Sequence, residues 1–204
     1  MLNETTNPIT TLPANYREAR YMSVNERGVL VMLNLLSLIP MAISGLVVFG
    51  GLLVYHEELE APLVLGFLPD KIPSTLGIVL ILLVLPLHEW IHGQVIRLCG
   101  HKPRYGVKWM VLFATSDGAY FRRNEFIRIA LAPLVVISLG GLLLMPFLPY
   151  GLAQWFALAV MLNAAGAIGD LWMTAVALGF DASALIRDEE DSMRIFTRRP
   201  TLVS

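Results

Sequence analysis

The sequence predicts an all-α polytopic membrane protein: four transmembrane helices, with a short cytoplasmic-side β-hairpin between helices two and three. Three observations carry this. Apolar residues make up 56% of the 204-residue chain and charged residues only 15%, a balance unlike that of a water-soluble domain of this length. The apolar residues gather into four runs, each long enough to cross a hydrocarbon core, which takes about 20 residues at a ~1.5 Å rise. The basic residues, Lys71 apart, flank those runs on one side. The formal net charge of −1 leaves no footprint for nucleic acid, and no basic tract interleaved with aromatics occurs. Cys99 stands alone, so no internal disulfide and no Cys/His cluster can form.

Residues 1–22 are polar, with Pro8, Pro13 and several Thr and Asn, and are expected to form a flexible cytoplasmic arm with a short interfacial helix at Tyr16 to Tyr21. Ser23 and Glu26 have capping-box spacing and predict a helix start there. The four spans then run over Gly28–Tyr55, Thr75–Cys99, Ile127–Leu148 and Gly151–Phe180, within a membrane domain of 23–182 whose catalytic core is 75–180. The connection from His56 to Ser74 carries Glu57, Glu58, Glu60 and Asp70 against Lys71 alone. Arg17, Arg20 and Arg27 precede the first span, Arg97, Lys102, Arg104, Lys108, Arg122 and Arg123 follow the second, and Arg187, Arg194, Arg198 and Arg199 follow the fourth. By the positive-inside rule both termini lie in the cytoplasm, and the expected location is the cell membrane. Residues 183–204 are expected to be a solvated cytoplasmic tail.

Between spans two and three the pattern changes. Tyr105, Val107, Trp109, Val111 and Phe113 alternate with other residues, Thr115-Ser116-Asp117-Gly118 has turn chemistry, and Ala119-Tyr120-Phe121 resumes an apolar run. This is the expected hairpin. One role for it is a connector whose aromatics rest in the interface; another is an open edge that pairs with an extended peptide.

Inside the second span lies His88-Glu89-Trp90-Ile91-His92, an HExxH pattern expected by chance in roughly one such chain in several hundred. On a helix, residues four apart share a face, so His88 and His92 can offer two imidazoles to one metal ion. Glu89 then stands beside the ion as a general base for water. Away from the span ends, the only other ionisable side chain within the spans is Asp170. A carboxylate at the centre of a membrane helix costs about 2.5–3.5 kcal/mol on insertion scales, so it needs a partner. Counted from the outer ends of spans two and four, His88, His92 and Asp170 fall roughly 20, 25 and 28 Å along their helices. They can therefore share a level. Two His, one carboxylate and an open position make a catalytic zinc arrangement.

Asn163 lies two turns before Asp170, with Gly166 between them, and can bond the metal carboxylate or a substrate backbone; the same residues can also serve helix packing alone. Pro86 and Pro133 each free a helix carbonyl that must find another donor. His101 is expected to be interfacial or solvated, Asp117 to sit in a turn, and Glu125 and Asp181 to be caps or solvated charges. His56 lies on the opposite side of the membrane.

An HExxH on one transmembrane helix, a β segment, another span and then a span with Asn followed by Asp resembles the intramembrane site-2 proteases. More narrowly it resembles small four-span proteins described as putative zincin peptidases. The resemblance covers about residues 75–180. It implies zinc held by His88, His92 and Asp170, Glu89 as the acid/base, Asn163 in substrate binding, and a membrane protein or peptide as substrate within the lipid bilayer. The sequence departs from the site-2 pattern around Asp170, where no proline precedes the acid and Leu171 follows it. Two rival functions remain: a transport or proton-relay protein using the same His/Glu/Asp cluster, and a non-catalytic membrane metal-binding scaffold. The two halves show no self-similarity of the kind a transporter repeat predicts.

Overall fold

A computed structural model describes residues 8–55, 74–108 and 111–199. The acidic connection that orients the predicted topology, His56 included, lies outside the described residues. The elements are β1 (Tyr16–Ser23), α1 (Arg27–Leu36), α2 (Leu38–Tyr55), α3 (Ser74–Leu98), β2 (Arg104–Lys108), β3 (Val111–Thr115), β4 (Phe121–Arg122), α4 (Arg123–Leu144), a 3-10 turn (Met145–Phe147), α5 (Tyr150–Gly166), α6 (Ile168–Leu178), β5 (Leu185–Asp188) and β6 (Ser192–Arg198).

Among the described residues, three stretches are long and apolar enough to cross a membrane: Arg27–Val54, Thr75–Leu98 and Arg123–Phe147. Only 17%, 22% and 28% of their apolar windows are buried inside the protein, so most of that surface faces outward. The expected fourth span is not one straight helix. It is α5 followed by α6, bent by 42° at Ala167, and counts as a span only if the pair is taken together. Gly166 and Gly169 flank the break, where missing side chains leave the backbone least constrained. A Cβ on either glycine would meet nothing within 4 Å, so they do not admit a neighbouring helix as the sequence suggested.

The chain forms two compact units. One comprises residues 34–88 and 133–168. Its core is Val48, Leu52, Met145, Ala153, Ala157 and Val160, contributed by α2, α5 and the 3-10 turn. Small residues let the helices approach: a Cβ on Gly77 would stand 2.0 Å from the Trp155 ring, and one on Gly141 2.4 Å from Val160.

The other unit comprises residues 1–33, 89–132 and 169–204. It holds a four-stranded antiparallel sheet in the order β1-β6-β5-β4, with Met22, Phe121, Ile186, Met193 and Ile195 packed with Ile96 of α3, Ile129 of α4 and Ala177 of α6. This sheet corrects the all-α expectation and both terminal assignments. From Tyr16 onward the expected flexible arm, with its interfacial helix, is an ordered strand paired with β6, Tyr16 opposite Arg198 and Ser23 opposite Ser192. The expected solvated tail supplies two strands, of which β6 has Met193 and Ile195 fully buried. β1 has only Tyr16 and Met22 buried and is held by partners about 170 residues away: Tyr16 Oη donates to Ser183 O (2.8 Å), and Arg194 pairs with Glu18 (3.0 Å). The capping-box start also moves. Ser23 ends β1 and accepts the Asn25 N–H (3.2 Å), while Leu30 N–H reaches Glu26 O to open α1.

The hairpin is present with a different reversal. β2 pairs with β3 from Arg104 opposite Thr115 to Lys108 opposite Val111, and the residues that join them, 109–110, lie outside the described residues. The Ser116–Gly118 turn instead leads to β4, in the larger sheet. Phe113 lies across from Gly106, where a Cβ would come within 2.4 Å of its ring, and Arg104 stacks on the other reach of that ring at 5.0 Å.

Candidate metal centre

His88, Glu89 and His92 are presented by one continuous helix, α3, and one donor atom from each lies within 4.8 Å of the others. His92 is 7% exposed, while His88 and Glu89 are part-buried.

The orientation of each imidazole follows from what its Nδ1 meets. His88 Nδ1 lies 2.9 Å from Asn163 Oδ1, and His92 Nδ1 lies 2.8 Å from the backbone oxygen of Ile129. Both partners are acceptors only, so both rings carry their proton on Nδ1 and donate it. Nε2 is the ring nitrogen that a metal takes when the other is tied to a carbonyl.

The Ile129 carbonyl is available for a reason written in the sequence. In α4 it would normally accept from the N–H four residues on, but that residue is Pro133, which has none. The proline that interrupts the ladder thus supplies the acceptor that fixes His92. Sequence reasoning noted that a carbonyl was freed; it did not identify the imidazole that takes it up.

Asp170 lies in the first turn of α6, and its Oδ2 is 3.5 Å from His92 Nε2. Two ligand atoms of a tetrahedral zinc, each at about 2.0–2.1 Å, stand about 3.3 Å apart. The His92–Asp170 spacing therefore suits a shared ion. The His88–Glu89–His92 group could hold a divalent metal, and Asp170 comes within ligand spacing of His92.

Asn163 is 3% exposed, with its oxygen accepting from His88 and its amide nitrogen 3.5 Å from Pro133 O. The structure thus places it behind a candidate ligand, a partner that sequence reasoning had not considered. The remaining candidates are elsewhere. His101 is buried rather than solvated, edge-on to Phe121 at 4.7 Å, and burial lowers its pKa. Asp117 pairs with Arg104 at 2.8 Å in its turn. Glu125 is 4% exposed and caps α4, accepting the Arg122 N–H (2.9 Å) and its guanidinium (2.8 Å). Asp181 is exposed.

Two further residues escaped the sequence. Tyr105 of β2 sets its hydroxyl on Gly93, next to His92, where a Cβ would come within 2.0 Å of the oxygen. Asp188, expected in a solvated tail, ends β5 part-buried, and desolvation pushes its carboxyl up to about 7 against the pull of a hydrogen bond from Thr115. The alternating glycine and aromatic positions of the hairpin hinted at the first. Nothing local signalled the second.

Residues 81–185 match the family described as putative zincin peptidases. The chain belongs to that family. The match spans α3 from before the HExxH to β5, and so includes His88, Glu89, His92, Asn163 and Asp170. Zincin peptidases are zinc enzymes, and the His-Glu-His group of this family member is the kind of donor set that zinc requires. No curated protein and no solved structure matches the chain.

Proposed function

We propose that this zincin family member is a zinc-dependent, membrane-embedded endopeptidase that hydrolyses a peptide bond of a membrane protein or peptide in or near the bilayer. The observation that carries the reading is the pair of Nδ1-tied imidazoles with Asp170 3.5 Å from the Nε2 of one of them. Such a set favours hydrolysis over ion passage, because fixed tautomers hold a metal but cannot relay protons between their ring nitrogens. Glu89 beside the ligands distinguishes the reading from a silent scaffold.

His88, His92 and Asp170 are the zinc ligands. Lewis acidity is what zinc brings to such a site, lowering the pKa of water toward ~7. Glu89 takes the proton of the attacking water on its carboxylate and delivers it to the leaving amine. Asn163 holds His88 in its donor-ready tautomer, a task that its burial suits better than substrate contact. The β2–β3 hairpin, a two-stranded sheet among the described residues, offers an edge to an extended substrate, with Tyr105 close to α3. The apolar helices support a position in the lipid bilayer, and the basic flanks support both termini in the cytoplasm of a cell-membrane protein.

Metal analysis of the purified protein tests the site, with one zinc per chain expected and its absence fatal to the proposal. Glu89→Gln should retain that zinc and lose cleavage by about 10²- to 10⁴-fold. A Glu89→Gln protein that cleaves at the wild-type rate would remove Glu89 from the chemistry.

A further inference from the structure

A cleft of about 470 Å³ lies just past the end of α3, beside the turn that leads from β3 to β4. Its lining includes Gly100, His101, Lys102 and Arg104 after α3, and Ser116 and Asp117 from the turn. Two of these residues lack what buried polar side chains ordinarily have. His101 is 7% exposed and Ser116 5%, yet neither side chain hydrogen-bonds any described residue. Burying a polar group without a partner is costly, so such groups are rare unless something from outside the chain completes them.

The charges of the cleft decide what that something is. Arg104 is held by Asp117 (2.8 Å) and Glu190 (2.6 Å), so the arginine and Asp117 offset each other. Lys102 is exposed and forms no ion pair with a described residue. Burial lowers the pKa of His101, so at neutral pH its ring is uncharged and offers one N–H. A helix C-terminus ordinarily repels an anion. Here Gly100 takes a φ of 84°, its N–H reaches Arg97 O (2.9 Å) and the His101 N–H reaches Ile96 O (3.1 Å), so those carbonyls are already satisfied.

An uncompensated ammonium with an imidazole N–H and a hydroxyl is a donor set suited to phosphate oxygens. The apolar stretch Thr75–Leu98 ends just before Gly100, and for a helix that crosses a bilayer this is the level of the phospholipid headgroups. We propose that the cleft binds a phosphate group, with Lys102 supplying the charge and His101 and Ser116 the hydrogen bonds. A lipid headgroup and free phosphate offer the same chemistry, and the experiment separates them. The site stands apart from the metal centre, so the zinc reading survives if this proposal falls.

Binding is measured on the full-length protein in detergent, as the rise in Tm with dihexanoyl phosphatidic acid, with inorganic phosphate, and with dihexanoylglycerol, which lacks the phosphate. Phosphatidic acid should raise Tm saturably, and dihexanoylglycerol should not. Ser116→Ala should weaken that binding by about 10-fold or more, as expected for one hydrogen bond to a charged group. Lys102→Gln should weaken it by about 3- to 10-fold, most at low salt. Arg17→Gln removes an exposed cation that does not line the cleft and should leave binding unchanged. Inorganic phosphate that competes at equal concentration identifies free phosphate as the ligand, and phosphate without effect identifies the lipid headgroup; both support the site. No saturable rise with either ligand overturns the proposal. So does a response that Ser116→Ala and Lys102→Gln leave at wild-type strength, or one that Arg17→Gln weakens as much as Lys102→Gln, which marks diffuse charge attraction. Lys102 lies at the surface, so its variant keeps the test decisive if Ser116→Ala fails to fold.

Discussion

His88 and His92 stand one turn apart on α3 and carry their ring protons on the same nitrogen, yet they are held by different kinds of atom. His88 donates to the side chain of Asn163, and His92 donates to the main chain at Ile129. The first acceptor is set by which residue occupies position 163. The second exists because Pro133 withholds an N–H from the helix four residues later. A side-chain acceptor can be deleted outright by substitution; a main-chain carbonyl cannot be deleted and can only be given a competitor. Two histidines that look equivalent in the HExxH pattern should therefore respond very differently when their anchors are mutated.

The most severe way to break the comparison is to strip the His92 side of its carboxylate. Asp170→Ala should abolish stoichiometric zinc, since a two-imidazole site lacks the third protein ligand of a catalytic zinc centre. Full zinc retained by that variant would reject Asp170 as a ligand. Asn163→Leu acts on the His88 side and should weaken zinc binding by about 10- to 100-fold, because the part-buried ring loses the acceptor that sets its tautomer. Competition with a chelator for zinc separates the two roles open to Asn163. A residue that only bound substrate would leave zinc affinity unchanged on mutation and show its effect in KM.

How much of this was legible in the sequence depended on the distance over which the deciding interaction acts. The four apolar runs and the HExxH face follow from local pattern, and α3 carries His88, Glu89 and His92 as helix periodicity requires. The approach of Asp170 to His92 was also reachable, because an isolated acid in an apolar span demands a partner. The four-stranded sheet was not. β1 shows little alternation of its own, with Arg17, Glu18 and Arg20 in the middle of the strand, and it exists through pairing with β6, nearly the whole chain away. Asp188 follows the same logic: an acidic run next to basic residues reads as a solvated tail, whereas Asp188 ends a strand paired with β6. The hairpin alternation survived, but its turn moved, since two short strands with two residues between them resemble one longer strand in period-two pattern. The sequence singles out Asn163, but its contact with His88 depends on the approach of α3 to α5, which spacing cannot supply.

The mildest perturbation is the most discriminating, because it adds a bond without removing one. Pro133→Ala restores the N–H that α4 lacks, and this N–H competes with His92 Nδ1 for the Ile129 carbonyl. A carbonyl oxygen has two lone pairs and can accept both donors, so His92 loses strength in its anchor without losing the anchor. Zinc affinity should fall by about 10-fold or less, smaller than the effect of Asn163→Leu, which leaves a ring with no acceptor. The zinc-free protein should gain stability, since a proline in a helix interior costs up to about 3 kcal/mol and the alanine relieves it. Nitrogen chemical shifts of the His92 ring give a direct reading, moving toward a mixture of tautomers in Pro133→Ala while those of His88 hold still. If Pro133→Ala weakened zinc as much as Asn163→Leu, the two anchors would be alike in strength, and the proline would matter through the path of α4 rather than through the carbonyl it frees.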